Sequence, residues 1–119
     1  MKKTLVLGAT TDVSRYASLC VERLIERGHE VIPVGIKKGH THGLTIYNIP
    51  PQVEGVDTVT MYVGPRNQPQ YYDYLIGLKP KRIIFNPGSE NDELAKLAAG
   101  NGIEVLEACT LVLLSIGRY

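Results

Sequence analysis

The residues best suited to chemistry in this chain form a short loop near its start. The run Gly8-Ala9-Thr10-Thr11 follows an apolar stretch, and an amphipathic helical pattern comes after it. In a strand, loop and helix of this kind, backbone N–H groups and the helix dipole attract phosphate. The threonine hydroxyls would add donors, and Arg15 would add a charged one. The loop therefore predicts a site for a phosphorylated, nucleotide-like ligand, although only Gly8 fits the GxGxxG pattern.

The end of the second predicted strand indicates which nucleotide the site would take. Proteins that bind NAD usually carry an acid there, which bonds the ribose hydroxyls. Here the strand end Pro33-Val34-Gly35 is followed by Lys37 and Lys38, with no acid as far as His42. Two lysines would attract a further phosphate on the ribose. The sequence thus disfavours NAD and suits coenzyme A or NADP, unless the lysines are simply exposed on a mobile loop.

A second turn, Asn86-Pro87-Gly88, follows the fourth predicted strand. Its proline and glycine bend the chain sharply into the next helix. We expect the amide of Asn86 and the N–H groups of Gly88 and Ser89 to face the same crevice as the first loop. The alternative is a purely structural turn.

Patterns that indicate catalysis are scarce. The sequence contains no GxSxG, no HExxH and no complete P-loop. Cys109 is the one candidate nucleophile, whereas Cys20 falls on the apolar face of the first helix and is expected to pack in the core. The pair in His40-Thr41-His42 has no third ligand beside it, so we predict no metal site. These residues favour ligand binding without catalysis.

The elements that must position these residues alternate between strand and helix. Strands are predicted at 3–7, 30–34, 57–63, 82–85 and 103–106, with a short extended piece at 44–47. Helices are predicted from Asp12 onwards, and at 69–78, 89–100 and 108–116. Asp12 should cap the first helix, Gly28 should end it, and Ser89 with Asp92 should cap the third.

Such alternation predicts a parallel sheet with helices on both faces. We expect an α/β, three-layer Rossmann-like fold whose five-stranded parallel sheet has the order 3-2-1-4-5. Ligands of such sheets lie at the carboxyl ends of the strands, where the order reverses. In this order the reversal falls between strands 1 and 4, which would bring the first loop and the Asn86 turn together.

Length, charge and hydropathy limit the kinds of protein that this chain can be. The 119 residues predict one domain, 1–119, and a net charge of +1 gives no general attraction for nucleic acid. No apolar run approaches the roughly 20 residues that cross a bilayer, and Gly8 and Asp12 interrupt any signal-peptide pattern. We expect a cytoplasmic protein with reduced thiols. The tyrosine-rich segment at 69–78 is a candidate contact for a homodimer.

Taken in order, these motifs resemble a known family. The first loop, the stretch from Gly28 into the second strand, Gly43, the Asn86 turn and Cys109 are similar to the small stand-alone CoA-binding domain proteins. The same module is similar to the N-terminal domains of succinyl-CoA synthetase α subunits and of ADP-forming acyl-CoA synthetases. The resemblance covers nearly the whole chain.

The resemblance implies a Rossmann-like domain that holds coenzyme A at the carboxyl ends of its strands. The implied phosphate contacts are Gly8, Thr10, Thr11 and Arg15. The adenine and ribose would lie against Pro33, Val34 and Gly35, with Lys37 or Lys38 near the 3′-phosphate and Asn86, Pro87 and Gly88 beside the pantetheine. Where the family commonly has Pro-Val-Asn-Pro, this chain has Pro33-Val34-Gly35-Ile36, so an asparagine amide is missing.

Three functions remain open at this point. The first is a non-catalytic protein that binds coenzyme A or an acyl-CoA as a carrier, sensor or modulator. The second is an NAD(P)-binding enzyme or redox sensor, and the third is an interaction module that has lost its ligand. Under the first hypothesis the ligand is a small nucleotide, and we expect neither nucleic acid nor a membrane as a partner.

Overall fold

Seven strands and four α-helices make up the fold in the computed structural model, which describes residues 1–119. The strands are β1 (Thr4–Leu7), β2 (Val31–Val34), β3 (Gly39–Thr41), β4 (Leu44–Ile46), β5 (Thr58–Met61), β6 (Arg82–Phe85) and β7 (Glu104–Glu107). The helices are α1 (Tyr16–Glu26), α2 (Tyr72–Leu78), α3 (Asp92–Gly100) and α4 (Thr110–Ser115). Two 3₁₀ turns, Pro65–Asn67 and Pro69–Tyr71, lead into α2.

Five parallel strands form the central sheet, in the order β2-β1-β5-β6-β7. Every residue of β1, β2 and β5 is buried, as expected of strands covered on both faces. The predicted α/β class, the Rossmann-like fold and the five-stranded parallel sheet are confirmed. β3 and β4 form a separate antiparallel hairpin.

The position of one strand differs from the prediction. The strand predicted at 57–63 was placed outside β2, but β5 pairs directly with β1, with Thr4 opposite Thr58. The outer position beside β2 is taken by the end of the hairpin, through a single parallel bridge between Val34 and Tyr47. The 3-2-1-4-5 pattern is therefore present with β4 in the place of strand 3, outside β2, and with β5 in the place of strand 4, beside β1. The reversal next to β1 consequently opens towards the loop after β5.

The side chains of the sheet alternate between two apolar layers. Residues such as Leu5, Val59 and Phe85 pack with Leu75 of α2 and Leu94 of α3. The opposite layer joins sheet residues to α1 and α4, through Val6, Val31, Cys20, Val21, Leu24 and Leu114. The three-layer arrangement therefore follows from the period-2 alternation of the strands. No helix of the structure has the length and apolar character needed to cross a membrane.

All four helices begin later than the sequence indicated, and for α1 and α3 the hydrogen bonds at the helix start give the reason. α1 begins at Tyr16 rather than just after Asp12, because the Asp12 carboxylate accepts hydrogen bonds from the N–H and hydroxyl of Ser14 within the preceding turn. α3 begins at Asp92, and its cap is Asn91, whose side chain accepts from the N–H of Leu94 at 3.2 Å. The expected pair of Ser89 and Asp92 does not cap it. Gly28 does adopt the predicted left-handed conformation, with φ 81°.

Candidate functional site

A cleft of about 690 Å³ opens at the carboxyl ends of β1, β2 and β5. Its wall consists of the loops after β1, β2, β5 and β6, the start of α1 and the turns before α2. The residues that line it are Gly8, Ala9, Thr10, Thr11, Arg15, Tyr16, Ala17, Gly35, Ile36, Lys37, Tyr62, Val63, Gly64, Asn67, Gln70, Tyr71 and Pro87. Eight of the thirteen residues predicted for the site therefore line one cleft, namely Gly8, Ala9, Thr10, Thr11, Arg15, Gly35, Lys37 and Pro87.

The first residues of the loop after β1 are bound to the sheet rather than free. The N–H groups of Gly8 and Ala9 both donate to the carbonyl of Val34, at 2.8 and 2.9 Å. Gly8 has φ 105°, and a Cβ there would lie 3.0 Å from the carbonyl carbon of Tyr62. A glycine is thus required where β1 turns away between its two neighbours.

Free donors appear further along the same loop. The backbone N–H groups of Thr10, Thr11, Tyr16 and Ala17 have no acceptor within the chain. Arg15 stands between them as an exposed residue in extended conformation, immediately before α1. Unpaired N–H groups at the start of an eleven-residue helix, beside a guanidinium, form an arrangement that can hold an anion.

Asp12 is the acid nearest this loop in sequence, and it is not among the residues that line the cleft. Hydrogen bonds from the Ser14 hydroxyl and N–H lower the pKa of its carboxyl group. The Asp12 carboxylate is therefore held in the turn that precedes α1, where it also interacts electrostatically with Arg15.

The residues after β2 divide between two surfaces. Pro33 and Val34 are buried within the sheet, so they support the cleft without lining it. Gly35, Ile36 and Lys37 do line it, and Ile36 is 78% exposed. Lys38 lies instead along a smaller groove of about 310 Å³ that belongs to the hairpin. The two lysines are therefore not equivalent, and only Lys37 faces the cleft.

The expectation that the Asn86 side chain faces the crevice is wrong. Asn86 is buried, and its Nδ2 donates to Thr60 Oγ1 and to the Met61 carbonyl, both at 2.8 Å. Its Oδ1 accepts from the N–H of Thr110. The N–H of Gly88 donates to Glu90 and that of Ser89 to the Asn86 carbonyl, so neither is free. Asn86 instead joins the ends of β5 and β6 to α4.

The loop after β5 supplies the part of the wall that sequence reasoning missed. Tyr62, Val63 and Gly64 line the cleft at the end of that strand, followed by Asn67, Gln70 and Tyr71 from the 3₁₀ turns. The signal was present in Gly64-Pro65, which breaks the chain directly after an apolar strand. In the predicted order this strand lies outside β2 and not beside β1, so the loop that follows it is not expected at the cleft. This end of the cleft carries no charged side chain, whereas Arg15 and Lys37 lie at the other.

The thiols and the remaining polar groups lie mostly behind the cleft. Cys20 is fully buried, as predicted, and burial raises the pKa of its thiol to about 11. Cys109 is half-buried at the start of α4 and does not line the cleft. Burial also raises the pKa of Tyr62, whose hydroxyl has no hydrogen-bond partner. His42 contacts Ser18 of α1 at 3.0 Å through its Nε2.

The tyrosines of the 69–78 segment make contacts within the chain. Tyr72 donates to Glu93, Tyr74 donates to the carbonyl of Pro51, and Tyr71 is buried. These contacts attach α2 to its neighbours. The homodimer predicted through this segment stays a prediction.

Comparison with known proteins finds a matching family and several similar structures. A family model described as CoA binding domain matches residues 2–115. The crystal structure of a protein described as uncharacterized is 58% identical, with a TM-score of 0.98, and the match covers 100% of this chain and 98% of that one. A hypothetical protein from Pyrococcus horikoshii OT3 is 25% identical, with a TM-score of 0.85 over 93% of this chain and 80% of that one.

A larger protein shares the fold. The dinucleotide-forming acetyl-coenzyme A synthetase 1 of Ca. Korarchaeum cryptofilum, in complex with phosphate and ADP, is 21% identical, with a TM-score of 0.73. The match covers 89% of this chain and 25% of the synthetase chain. No curated protein matches.

Proposed function

The chain belongs to the CoA binding domain family, and on that premise we propose that it binds coenzyme A or an acyl-CoA in the cleft at the carboxyl ends of β1, β2 and β5. The observation that carries the proposal is the distribution of charge and of free donors along that cleft. Four unpaired N–H groups, Arg15 and Lys37 stand at one end, and only uncharged side chains stand at the other.

Coenzyme A has the matching polarity. Its nucleotide end carries a diphosphate and a ribose 3′-phosphate, and its pantetheine arm is uncharged. We assign the diphosphate to the N–H groups of Thr10 and Thr11 and to Arg15, since charge-assisted hydrogen bonds to phosphate are the strong ones. Lys37 would hold the 3′-phosphate. The exposed face of Ile36 would cover the adenine in place of the family's asparagine.

The pantetheine arm would follow the loop after β5. Asn67 and Gln70 offer amides there, and Pro87 remains beside them as the one residue of the Asn86 turn that lines the cleft. Pro33, Val34, Asn86, Gly88 and Lys38 would act only from behind or beside the site. A lining of glycines, threonines, amides and apolar side chains suits binding, so we propose a carrier, sensor or modulator in the cytoplasm.

The first test is a calorimetric titration with coenzyme A, acetyl-CoA, dephospho-CoA, NADP and NAD. We expect saturable binding of coenzyme A and weaker binding of dephospho-CoA, which lacks the 3′-phosphate. NADP bound more tightly than coenzyme A would favour the alternative of a nicotinamide cofactor. No binding of any of the five would contradict a nucleotide site and favour an interaction module.

Replacing Lys37 separates the two lysines. Lys37→Ala should weaken coenzyme A binding by about tenfold, the value of one charge-assisted contact of about 1.4 kcal/mol. Binding of dephospho-CoA should hardly change, because the variant removes the partner of a phosphate that this ligand lacks. Lys38→Ala is the matched control and should leave both affinities unchanged, since Lys38 lies outside the cleft. Equal effects of the two variants would contradict the assignment.

A further inference from the structure

Gln68 is a fully buried polar side chain that the proposed ligand contacts do not use. Its exposed fraction is 0%, although it lies between the two 3₁₀ turns that line the cleft. Glutamine is rarely buried to this degree, and a buried amide is costly unless its hydrogen bonds are made. In this case they are made.

The amide nitrogen of Gln68 joins two loops of the sheet. Nε2 donates to the carbonyl of Val63 at 2.9 Å and to the carbonyl of Ser89 at 2.7 Å. Val63 belongs to the loop after β5 and lines the cleft, whereas Ser89 belongs to the turn after β6. The two N–H bonds of one side chain thus hold the ends of two neighbouring parallel strands together.

The amide oxygen of Gln68 has its own partner. Oε1 accepts from Nδ2 of Asn91 at 2.9 Å, and the same Asn91 caps α3 through its Oδ1. Asn91 also donates to the hydroxyl of Tyr72 in α2. Because each polar atom of the Gln68 side chain is engaged, the network is rigid, and it fixes the orientation of the amide.

We propose that Gln68 is a positioning residue that preforms the uncharged end of the cleft, so that the arm of the ligand beyond the nucleotide meets an ordered wall. This inference rests on the proposed function. Asn67, directly before Gln68, and Gln70, two residues after it, line the cleft, while Gln68 itself is buried in the protein. A wall that is ordered before binding lowers the entropic cost of binding.

The test compares two ligands on two variants. Gln68→Met keeps the length of the side chain and removes both donors from the Val63 and Ser89 carbonyls. Asn91→Asp breaks the network at another point: it retains the oxygen that caps α3 and sets a carboxylate against Gln68 Oε1 in place of a donor. The ligands are coenzyme A and adenosine 3′,5′-bisphosphate, which keeps the adenosine, the 3′-phosphate and the first 5′-phosphate but lacks the second phosphate and the pantetheine arm.

For a folded variant we expect coenzyme A to bind about tenfold more weakly, while adenosine 3′,5′-bisphosphate stays within about twofold of wild type. Asn101→Asp is the matched control, since it removes a donor of the same kind at the far end of α3, where Asn101 bonds the Leu97 carbonyl. It should change neither affinity. Both ligands weakened by the same factor, or coenzyme A unaffected, would overturn the inference.

Amide hydrogen exchange separates this inference from the proposed function. Residues 63–71 should exchange faster in Gln68→Met and Asn91→Asp than in wild type or Asn101→Asp. Wild-type protein that bound neither ligand would contradict the proposed function alone, and the exchange rates would then still decide whether Gln68 orders the loop. Unchanged exchange in both variants would overturn the inference by itself.

Discussion

Gly35 lies where the chain after β2 packs directly against the loop after β1. A Cβ at this position would overlap the carbonyl oxygen of Ala9 and would lie 3.3 Å from Cγ2 of Ile46. Its φ is not in the left-handed region, so the requirement is space rather than conformational freedom. Since Ala9 belongs to the loop with the free N–H groups, a side chain at position 35 must displace that loop from β2.

Gly35→Ala should therefore lower both stability and ligand affinity. We expect the free energy of unfolding in urea to fall by about 1–3 kcal/mol, the usual cost of forcing atoms into a packed site. Gly64→Ala is the control, because Gly64 also lines the cleft but has no atom within 4 Å of a built Cβ. That variant should stay within about 0.5 kcal/mol of wild type. Comparable losses in the two variants would refute the argument from space.

The sequence identified residues of the cleft correctly in the segments that leave the carboxyl ends of β1 and β2. Thr10, Arg15 and Lys37 belong to the segments that follow β1 and β2, and they do line the cleft. Asn86 follows β6 in the same way, but its amide forms hydrogen bonds with Thr60, Met61 and Thr110 and does not line the cleft. Those partners lie on β5 and α4, so only the pairing of the strands could have revealed them.

At the scale of the elements, the apolar face of α1 was predictable, whereas the place of β5 was not. Ala17, Cys20, Val21 and Leu24 recur at helical spacing, and all four are buried against the sheet. The parallel strands are short and similarly apolar, so their sequences carry little information about neighbours. The hairpin of β3 and β4 lies in the connection from β2 to β5, and the chain directly after it makes the outer bridge that the strand predicted at 57–63 was expected to make.

The packing of α1 gives a stability test. Leu24→Ala should lower the free energy of unfolding by about 2–5 kcal/mol, because the Leu24 side chain on α1 is fully buried against the sheet. Leu97→Ala makes the same chemical change on α3 at a residue that is 39% exposed, and it should cost clearly less. Chemical denaturation of both variants measures the difference. A Leu24→Ala protein as stable as Leu97→Ala would show that α1 is not held by this face.

At the scale of the whole molecule, the proposed binding cleft and the contact between the two chain ends lie at opposite edges of the sheet. The cleft occupies the carboxyl edge of the sheet, and the two ends of the chain meet at the other edge. The ring of Tyr119 lies under the guanidinium of Arg82 at 4.5 Å and against His29 at 4.9 Å, and its hydroxyl bonds Thr4. His29 Nδ1 accepts from the N–H of Lys2 at 2.9 Å. Conditions that disturb this edge should thus change stability without touching the lining of the cleft.

His29 makes that edge sensitive to pH. Burial, followed by the charges of the amino terminus and Lys2, lowers its pKa below the ordinary 6.5. At pH values between the lowered pKa and about 6.5, His29 is protonated in the unfolded chain and neutral in the folded chain. The free energy of unfolding therefore rises with pH across that window. Asp12, whose pKa is lowered from 3.8, titrates below this range.

The free energy of unfolding should accordingly increase with pH in the range below about 6.5 in wild type and much less in His29→Gln. The glutamine keeps an acceptor for the Lys2 N–H and has no proton to gain, so the two curves should approach each other at low pH. Urea denaturation at a series of pH values measures the slopes. Parallel curves would assign the pH dependence to other groups, and a stability that fell with rising pH over this range would contradict the sign of the His29 shift.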